Sequence, residues 1–401
     1  MRTAAIVHDY PSVTETFVAA QITGLVDLGC DVTVFADGAD RAVPKLADVP
    51  NHEVVYFGLP FKRLRDSVGK ARSLSAVSGG TPRHEESRGE SGVTATALRS
   101  KIEGRAFGSR GAFDVIHAHF GPNGVRAVRQ RRRGSLRGPV VTSFYGYDVG
   151  RRWSRGGYAE LFAEGERFLA LSRHMKDALA AIGCPEDRID IHPLGVDLSR
   201  FPASPKQPGE SFEIISVARL VPKKGIADAL EAVAALAKRN ITFRYTIVGD
   251  GPLRQELERR VRTGGLGSIV RFLGSQPHAR VAELLRGSDV LLAPSLTAAD
   301  GDAEGTPVAI LEAQASGIPI VSTLHAGIPE IVDDGRSGFL VGEGDTSAMA
   351  ERLHELHDSP SLRATMGLAG RAIVTGNHDI RSLNAKLLHH YNEVRAGSLR
   401  A

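Results

Sequence analysis

The sequence has 401 residues, 42% of them hydrophobic and 24% charged, and its formal net charge is +4. This length exceeds one ordinary hydrophobic core and predicts two globular domains, while the small net charge does not favour a nucleic-acid-binding protein. The two cysteines, Cys30 and Cys184, exclude a disulfide framework and a zinc site with four cysteine ligands. No run of about 20 apolar residues is present, and the apolar N-terminal run is too short for a signal peptide, so we expect a cytoplasmic protein.

The chain opens with the pattern of a strand, a helix and a second strand. Apolar residues 4–7 and 31–36 predict the strands, and residues 14–28 predict the helix between them. This order predicts a doubly wound α/β domain. No G-x-G-x-x-G follows the first strand, which disfavours a nicotinamide dinucleotide as the ligand. Residues 76–92 are rich in serine, glycine and charged residues, and they predict a surface loop.

The alternation of strands and helices continues to the C-terminus. Further strands are predicted at residues 114–117, 140–144, 168–172, 213–217, 242–248, 270–273, 290–293 and 318–322, with helices between most of them. We therefore predict two Rossmann-like doubly wound α/β domains that face each other across a cleft. The predicted boundaries are residues 1–201 for the N-terminal domain, 202–211 for a linker, 212–376 for the C-terminal domain and 377–401 for a helix that packs across both.

The most informative segment follows the strand at residues 290–293, and it predicts a site for a phosphorylated ligand. Thr306 is a good helix N-cap, and Pro307 suits the first helical position because it lacks only an N–H that would be unpaired there. The N–H groups of Val308 and Ala309 then lie at the positive end of the helix dipole, where an anion is favoured.

Carboxylates and cations near this helix complete the predicted site. Glu312 lies about two turns into the helix, and its carboxylate suits the adjacent hydroxyls of a ribose. Glu304, just before the helix, is predicted to bind the sugar of a nucleotide-sugar donor. Arg219 and Lys224 lie in the loop after another strand, and both can turn toward a diphosphate. The alternatives are a solvated basic loop and glutamates that only favour the helix start.

Two other features offer metal or catalytic sites. Asp300-Gly-Asp302 fits a D-x-D motif for Mg²⁺ or Mn²⁺, but Arg219, Lys224 and the helix start already supply positive charge, so we predict no metal and no cofactor. His117 and His119 lack a third zinc ligand. We predict that His119 donates a hydrogen bond to the reacting sugar, with a satisfied core histidine as the alternative.

A basic stretch from Arg126 to Arg137 has two interpretations. It would bind a membrane surface or an anionic acceptor such as a lipid diphosphate, or it would be a solvated helix face. Few aromatic residues interleave with the arginines, so we predict no nucleic-acid partner. Peripheral contact with the inner face of a membrane is the partner prediction that depends on this stretch.

Several motifs resemble those of one enzyme family. V-A-R-L-V-P-K-K-G, V-G-D-G-P-L, the E-x7-E pair of Glu304 and Glu312, and H-A-G-I-P-E-I-V-D-D-G-R-S-G-F-L-V occur in order over residues 216–342. They resemble the retaining glycosyltransferases of family 4, which have two Rossmann domains in the GT-B arrangement. T-E-T-F, F-D-V-I-H-A-H-F and S-F-Y-G-Y-D in the N-terminal half resemble the exopolysaccharide branch, typified by colanic-acid-type enzymes.

The resemblance implies a role for each matching residue. Arg219 and Lys224 would bind the diphosphate, Glu304 the sugar hydroxyls, Glu312 the ribose, and His119 the transferred sugar. The backbone from Thr306 to Ala309 would hold phosphate, and Gly249 would lie in the same nucleotide-sugar site. The N-terminal domain would bind a sugar or lipid-linked sugar acceptor, and configuration would be retained without a covalent intermediate.

Two departures from the family pattern affect the acceptor. Many members have a Gly-Gly loop where this chain has residues 11–14, and the branch often has histidine where Tyr145 stands. A nucleotide-sugar epimerase-type enzyme on the same fold, a transferase with a small-molecule, antibiotic-type acceptor and a non-catalytic binding protein are the alternatives. The base, the donor sugar and the acceptor have no signature in the sequence.

Overall fold

The computed structural model describes residues 1–12, 15–39, 52–57, 100–149, 156–202 and 211–398. The predicted surface loop at residues 76–92 and most of the predicted linker lie outside the described residues. The chain divides into two compact units: unit 1 comprises Met1–Thr142, Ala163–Glu166 and Tyr391–Ala401, and unit 2 comprises Ser143–Phe162 and Arg167–His390. The domain boundaries drawn from the sequence remain predictions.

The first sheet contains seven strands. They are β1 (Arg2–Ile6), β2 (Asp31–Ala36), β3 (His52–Tyr56), β4 (Val115–His119), β5 (Val140–Ser143), β6 (Arg167–Ala170) and β7 (Ile189–Ile191), in the order β3-β2-β1-β4-β5-β6-β7. The helices of this half are α1 (Thr16–Asp27), α2 (described over residues 100–108), α3 (Gly121–Arg132), α4 (Ala159–Glu164) and α5 (Arg173–Ala181). The pairs β1–β2, β1–β4, β2–β3 and β6–β7 are parallel.

The second sheet has six strands and lies within unit 2. They are β8 (Phe212–Val217), β9 (Phe243–Val248), β10 (Val270–Gly274), β11 (Val290–Ala293), β12 (Ile320–Thr323) and β13 (Gly338–Val341), in the order β10-β9-β8-β11-β12-β13. The helices are α6 (Ile226–Ala237), α7 (Arg254–Thr263), α8 (His278–Arg286), α9 (Val308–Ala315), α10 (Thr346–Asp358), α11 (Pro360–Asn377) and α12 (Ile380–Ser398). Counted from β8, this is the 3-2-1-4-5-6 order of a Rossmann fold.

The apolar runs of the sequence become strands because parallel sheets are covered on both faces. Ile214, Tyr245, Leu292 and Val321 are fully buried in the four central strands of the second sheet. The helix α6 adds apolar residues at helical spacing to the same core. Because all the sheet pairings in this half are parallel, the carboxyl ends of its strands meet at one edge. The prediction of two Rossmann-like α/β sheets is confirmed.

Candidate active site

Three loops of unit 2 meet at the carboxyl edge of the second sheet, and glycines allow them to pack backbone against backbone. Gly225, between β8 and α6, has φ +61°, and a Cβ atom there would lie 1.8 Å from the Pro294 carbonyl oxygen after β11. Gly249, after β9, has φ +132°, and its Cβ would lie 1.9 Å from the Ala218 carbonyl oxygen. Only glycine fits at these two positions. The predicted Gly249 thus brings two loops of the site together.

The start of α9 lies in this loop cluster and presents free backbone donors. Val308 is the first helical residue, and Pro307 occupies the cap position because its carbonyl accepts a 3.0 Å hydrogen bond from the Ile310 N–H. The predicted cap at Thr306 and helix start at Pro307 were therefore wrong by one residue. Within the described residues, the N–H groups of residues 305, 306, 308 and 309 make no backbone hydrogen bond. These donors and the helix dipole together favour an anion.

Lys224 and Glu304 form an ion pair in the loop cluster. The Lys224 Nζ atom lies 2.8 Å from Glu304 Oε1, and the glutamate side chain is only 6% exposed. The neighbouring Lys223 Nζ lies 2.9 Å from Asp302 Oδ1 and also donates to the Ala303 carbonyl. The structure thus brings together two residues that the sequence places 80 positions apart. Their roles toward a ligand remain predictions.

The electrostatic environment keeps Glu304 ionised. Burial favours its neutral form, but the positive charges of Lys224 and Lys223, the hydrogen bond from Lys224 and the imidazole of His325 outweigh that effect and hold the pKa of Glu304 below its ordinary value. The ammonium of Lys224 lies 2.8 Å from Oε1, and because a carboxylate oxygen can accept more than one hydrogen bond, this buried oxygen retains acceptor capacity. A hydroxyl group of a ligand would satisfy it.

Arg219 lies in the same loop as Lys224 and is exposed. It makes no ion pair with any described residue, so its guanidinium is available to an anionic ligand. An exposed arginine with five donors is suited to binding phosphate oxygens. The structure therefore places Arg219 beside the loops of the site without showing what it binds.

The sequence did not predict the contacts of His325. Its side chain is 2% exposed, and it lies after β12 in the H-A-G-I-P-E motif. The His325 Nε2 atom lies 3.0 Å from the backbone N of Glu304, and Nδ1 lies 2.6 Å from Glu343 Oε1. Glu343 also accepts a 2.9 Å hydrogen bond from the Thr297 N–H. The motif was evident in the sequence, but a hydrogen bond to a backbone amide leaves no pattern of its own.

Glu312 has a partner that the sequence did not indicate. It lies in α9, is 6% exposed, and its Oε1 atom lies 2.7 Å from Nε2 of His278, the first residue of α8. The hydrogen bond restrains the carboxylate in one orientation and involves only one of its two oxygens. The predicted ribose contact of Glu312 is untested, and its geometry leaves an oxygen for such a contact.

The two regions with possible metal ligands differ in their surroundings. Asp302 of the D-x-D motif is bound to Lys223, and its backbone N–H donates to Asp300. On α10, ligand atoms of His354, His357 and Asp358 lie within 4.8 Å of one another. The His357 Nδ1 atom already lies 2.8 Å from Asp358 Oδ1, so an imidazole–carboxylate contact accounts for this group without an ion.

The two histidines of β4 are buried in unit 1. His117 Nδ1 lies 2.6 Å from the Tyr391 hydroxyl, and the His117 and His119 rings are 4.2 Å apart. His119 is 1% exposed, and burial lowers the pKa of its imidazole to about 3, so the ring is neutral at physiological pH. Asn123 donates to the His119 carbonyl. The predicted contact between His119 and a sugar remains a prediction, for which a neutral imidazole has one N–H donor.

The stretch from Arg126 to Arg137 is not a uniform cationic face. Arg126 is largely buried, pairs with Asp37 and Glu103, and stacks on Phe57. Arg131 lies 2.7 Å from Glu166. The remaining arginines of the stretch are exposed, namely Arg129, Arg132, Arg133 and Arg137. None of the helices within the described ranges has both the length and the apolar character that crossing a membrane requires.

Tyr145, one of the two positions that depart from the family pattern, lies against the Glu304 loop. The N–H groups of Tyr145 and Gly146 both donate to Asp148 Oδ1 at 2.9 Å. A Cβ atom on Gly305 would lie 2.4 Å from the Tyr145 carbonyl oxygen. The contact is thus through the Tyr145 backbone. Of the other departure, residues 11–14, the structure describes only Pro11 and Ser12.

Comparisons with known proteins agree with this geometry. Residues 14–200 match the pattern of Glycosyltransferase Family 4, and residues 199–373 match Glycosyl transferases group 1. The chain is 36% identical over 377 residues to WcaL of Escherichia coli (strain K12), a protein assigned to colanic acid biosynthesis as a glycosyltransferase; the match covers 88% of this chain and 90% of WcaL. It is 33% identical to the amylovoran biosynthesis glycosyltransferase AmsK of Erwinia amylovora, over 93% and 95% of the two chains.

Solved structures show the same fold. Anabaena HepE in complex with UDP and glucose has a TM-score of 0.75 and 18% identity, covering 98% of this chain and 100% of HepE. Sucrose-phosphate synthase from Thermosynechococcus elongatus has a TM-score of 0.73 and 17% identity, with 99% and 100% coverage. The chain therefore belongs to glycosyltransferase family 4 and has the GT-B fold.

Proposed function

We propose that this glycosyltransferase is a retaining, metal-independent hexosyltransferase that transfers sugar from a nucleotide diphosphate sugar to a hydroxyl acceptor. The observation that carries the proposal is the Lys224–Glu304 pair beside the free N–H groups at the start of α9. A cation, a helix start and a buried carboxylate in one loop cluster suit a ligand that joins a diphosphate to a polyhydroxyl sugar. The structures of HepE with UDP and glucose or with UDP-glucose support this donor class.

The diphosphate would be bound by Arg219, Lys224 and the N–H groups of residues 306, 308 and 309. Negative charge grows on its terminal phosphate oxygen as the sugar leaves, and these donors would stabilise that charge. Lys224 carries three N–H donors, so it can contact a phosphate oxygen and Glu304 together. A sugar hydroxyl would donate a hydrogen bond to Glu304 Oε1. Glu312, oriented by His278, would accept hydrogen bonds from the ribose.

In the proposed reaction, the bond between the anomeric carbon and the phosphate oxygen breaks, and a bond to the acceptor oxygen forms on the same face of the sugar. The departing phosphate oxygen accepts the proton of the acceptor hydroxyl. The products are the glycoside, with retained configuration, and the nucleoside diphosphate. His119 would donate its single N–H to the transferred sugar. The cations of the loop cluster supply the positive charge, and Asp302 is already bound to Lys223, so the reaction would proceed without a metal.

The acceptor is proposed from the relatives. The names of WcaL and AmsK assign them to the biosynthesis of two exopolysaccharides, so we propose a growing sugar chain or a lipid-linked sugar in cell-surface polysaccharide biosynthesis. The enzyme would act in the cytoplasm. The exposed arginines of the Arg126–Arg137 stretch would supply any peripheral contact with anionic lipid headgroups.

A thermal-shift panel tests the donor. UDP, GDP, ADP and their common sugar conjugates would be added with and without EDTA, because a ligand that binds the native state raises the melting temperature. We expect the nucleotides of one base to raise the melting temperature, and we expect EDTA to leave that increase unchanged. Arg219→Ala should weaken that nucleotide's binding about tenfold or more, through loss of a charge-assisted hydrogen bond. Arg262→Ala, at another exposed arginine in α7, is the matched control and should bind normally.

An acceptor requirement tests the reaction. Product formation should depend on an added sugar or lipid-linked acceptor, whereas an epimerase-type enzyme would convert the nucleotide sugar alone. Inverted configuration in the product would refute the retaining mechanism. Loss of the thermal shift in EDTA would refute metal independence. No shift with any nucleotide would refute the donor assignment.

A further inference from the structure

A buried imidazole holds the backbone of the residue that carries the site's carboxylate. The Glu304 N–H lies 3.0 Å from His325 Nε2, and on the other side of the ring Nδ1 lies 2.6 Å from Glu343 Oε1. His325 is 2% exposed, so water does not reach its ring, whereas the Glu343 side chain is 36% exposed. The ring therefore connects the loop before α9 with the segment after β13.

The chemistry of these two neighbours fixes the tautomer of His325. A backbone N–H can only donate, so Nε2 must be the unprotonated acceptor. The proton then resides on Nδ1, where it donates to the Glu343 carboxylate. A ring with its proton on Nε2 would direct one N–H at another and would leave the carboxylate without its donor. Glu343 thereby sets the state in which His325 can hold Glu304.

The same carboxylate also holds the other end of the loop. Glu343 Oε2 accepts the Thr297 N–H at 2.9 Å. Inside the loop, the Ala298 N–H donates to the Asp302 carbonyl at 2.9 Å. Residues 297–304 are thus restrained at both ends, at the start by Glu343 directly and at the end by Glu343 through His325. All of these contacts lie within the protein, and together they restrain the backbone position of Glu304.

We infer that His325 and Glu343 are positioning residues that act through Glu304: they hold its backbone so that its carboxylate lies beside Lys224 and meets the donor sugar. This inference rests on the proposed function for the choice of substrate, but the restraint itself does not require a substrate. A displacement of a catalytic group by about 1 Å can reduce a rate about 100-fold.

The first experiment needs no substrate. Backbone hydrogen exchange over residues 298–306 would be compared among the wild type, His325→Ala, His325→Gln and Leu324→Ala. The control residue, Leu324, is adjacent and 60% exposed. We expect faster exchange in His325→Ala and near-normal exchange in the other two, because the glutamine carbonyl can accept the Glu304 N–H in place of Nε2. Unchanged exchange in His325→Ala would overturn the restraint.

The second experiment tests whether the restraint serves Glu304. Release of UDP from UDP-glucose, or of GDP from GDP-mannose, would be measured with acceptor for His325→Ala, Glu304→Ala and the double variant. We expect a loss of about 100-fold for His325→Ala alone and less than about twofold in the Glu304→Ala background, with partial recovery in His325→Gln. UDP or GDP affinity should stay within about twofold of the wild type.

The outcomes separate this inference from the proposed function. If the activity losses of His325→Ala and Glu304→Ala multiply in the double variant, His325 does not act through Glu304 and the inference is overturned. The proposed function would stand in that case, because the wild type still transfers sugar. Equal activity of His325→Ala and the wild type would also overturn the inference. A wild type that consumes no nucleotide sugar would refute the proposed function, and the exchange experiment would still decide whether His325 holds the loop.

Discussion

Replacing Lys224 by methionine is the most direct test of the loop cluster, because the adjacent Lys223 is a matched control. Lys224 lies 2.8 Å from Glu304, whose side chain is 6% exposed, whereas Lys223 lies 2.9 Å from Asp302, whose side chain is 36% exposed. At an effective dielectric constant of about 20, either attraction would amount to about 6 kcal/mol before desolvation is counted. The exposed fractions of the Glu304 and Asp302 side chains therefore determine how much stability each lysine variant loses.

Lys224→Met leaves a buried carboxylate without its nearest cation. The expected loss is about 3–5 kcal/mol in the free energy of unfolding, toward the lower end because Lys223 remains nearby. Lys223→Met leaves Asp302 accessible to water, and its expected loss is about 1 kcal/mol or less for the ion pair. Urea unfolding measures both losses. Turnover of the nucleotide sugar should fall about 100- to 1,000-fold in Lys224→Met, since a donor to the developing phosphate charge is removed.

Lys224→Met should also shift the acid side of the pH–activity profile to higher pH. In the wild type, the pKa of Glu304 lies below the ordinary 4.5, so the stability contributed by its carboxylate is present above 4.5 and is lost as pH falls through the lower folded-state value. Without Lys224, burial is opposed less and the pKa of Glu304 rises. Loss of activity should therefore begin at a higher pH in Lys224→Met, whereas its stability deficit relative to the wild type should shrink as pH falls, because protonation removes the uncompensated carboxylate charge. Equal turnover in the two lysine variants, or coincident acid limbs for Lys224→Met and the wild type, would refute the reasoning.

Two further predictions concern positions that support the fold. Tyr391→Phe removes the hydroxyl that lies 2.6 Å from His117 Nδ1. The loss of this buried hydrogen bond should lower the free energy of unfolding by about 1–3 kcal/mol in urea, whereas an unchanged midpoint would contradict the contact. Gly225→Ala would place its Cβ 1.8 Å from the Pro294 carbonyl and should lose nucleotide binding, while Gly335→Ala, at φ +74° with open space around it, should cost only about 1 kcal/mol and bind normally.

The sequence was sufficient for the fold class because most of the strands are local apolar runs. The predicted strands at residues 31–36 and 213–217 agree with β2 and β8 to within one residue, and the helix predicted within residues 377–401 corresponds to α12 (Ile380–Ser398). Short strands with little apolar character, such as β3 and β7, were not predicted. Their positions depend on pairing with a neighbouring strand, which a single segment does not reveal.

The sequence also indicated which loops would lie close together, but it did not indicate which side chains within them would be in contact. Lys224 and Glu304 each follow a strand of a parallel sheet, and the topology then places both at one edge. The cap of α9 was misplaced by one residue because Thr306 and Pro307 both fit helix starts by residue type, and only the hydrogen bond to the Pro307 carbonyl distinguishes them. The contacts of His325 and His278 depend on tertiary packing and had no sequence pattern.

The charged residues of the site fall into two groups: Lys224 and Glu304 are paired with each other, whereas Arg219 is exposed. Glu304 and Lys224 are already paired and restrained, so binding a diphosphate need not order them and loses little conformational entropy there. Arg219 is exposed and without a partner among the described residues, so it can reach an incoming phosphate without breaking an ion pair. Mutation of Arg219 should therefore act chiefly on donor affinity, whereas mutation of Lys224 should act chiefly on turnover. A donor KM that changes more in Lys224→Met than in Arg219→Ala would contradict this division.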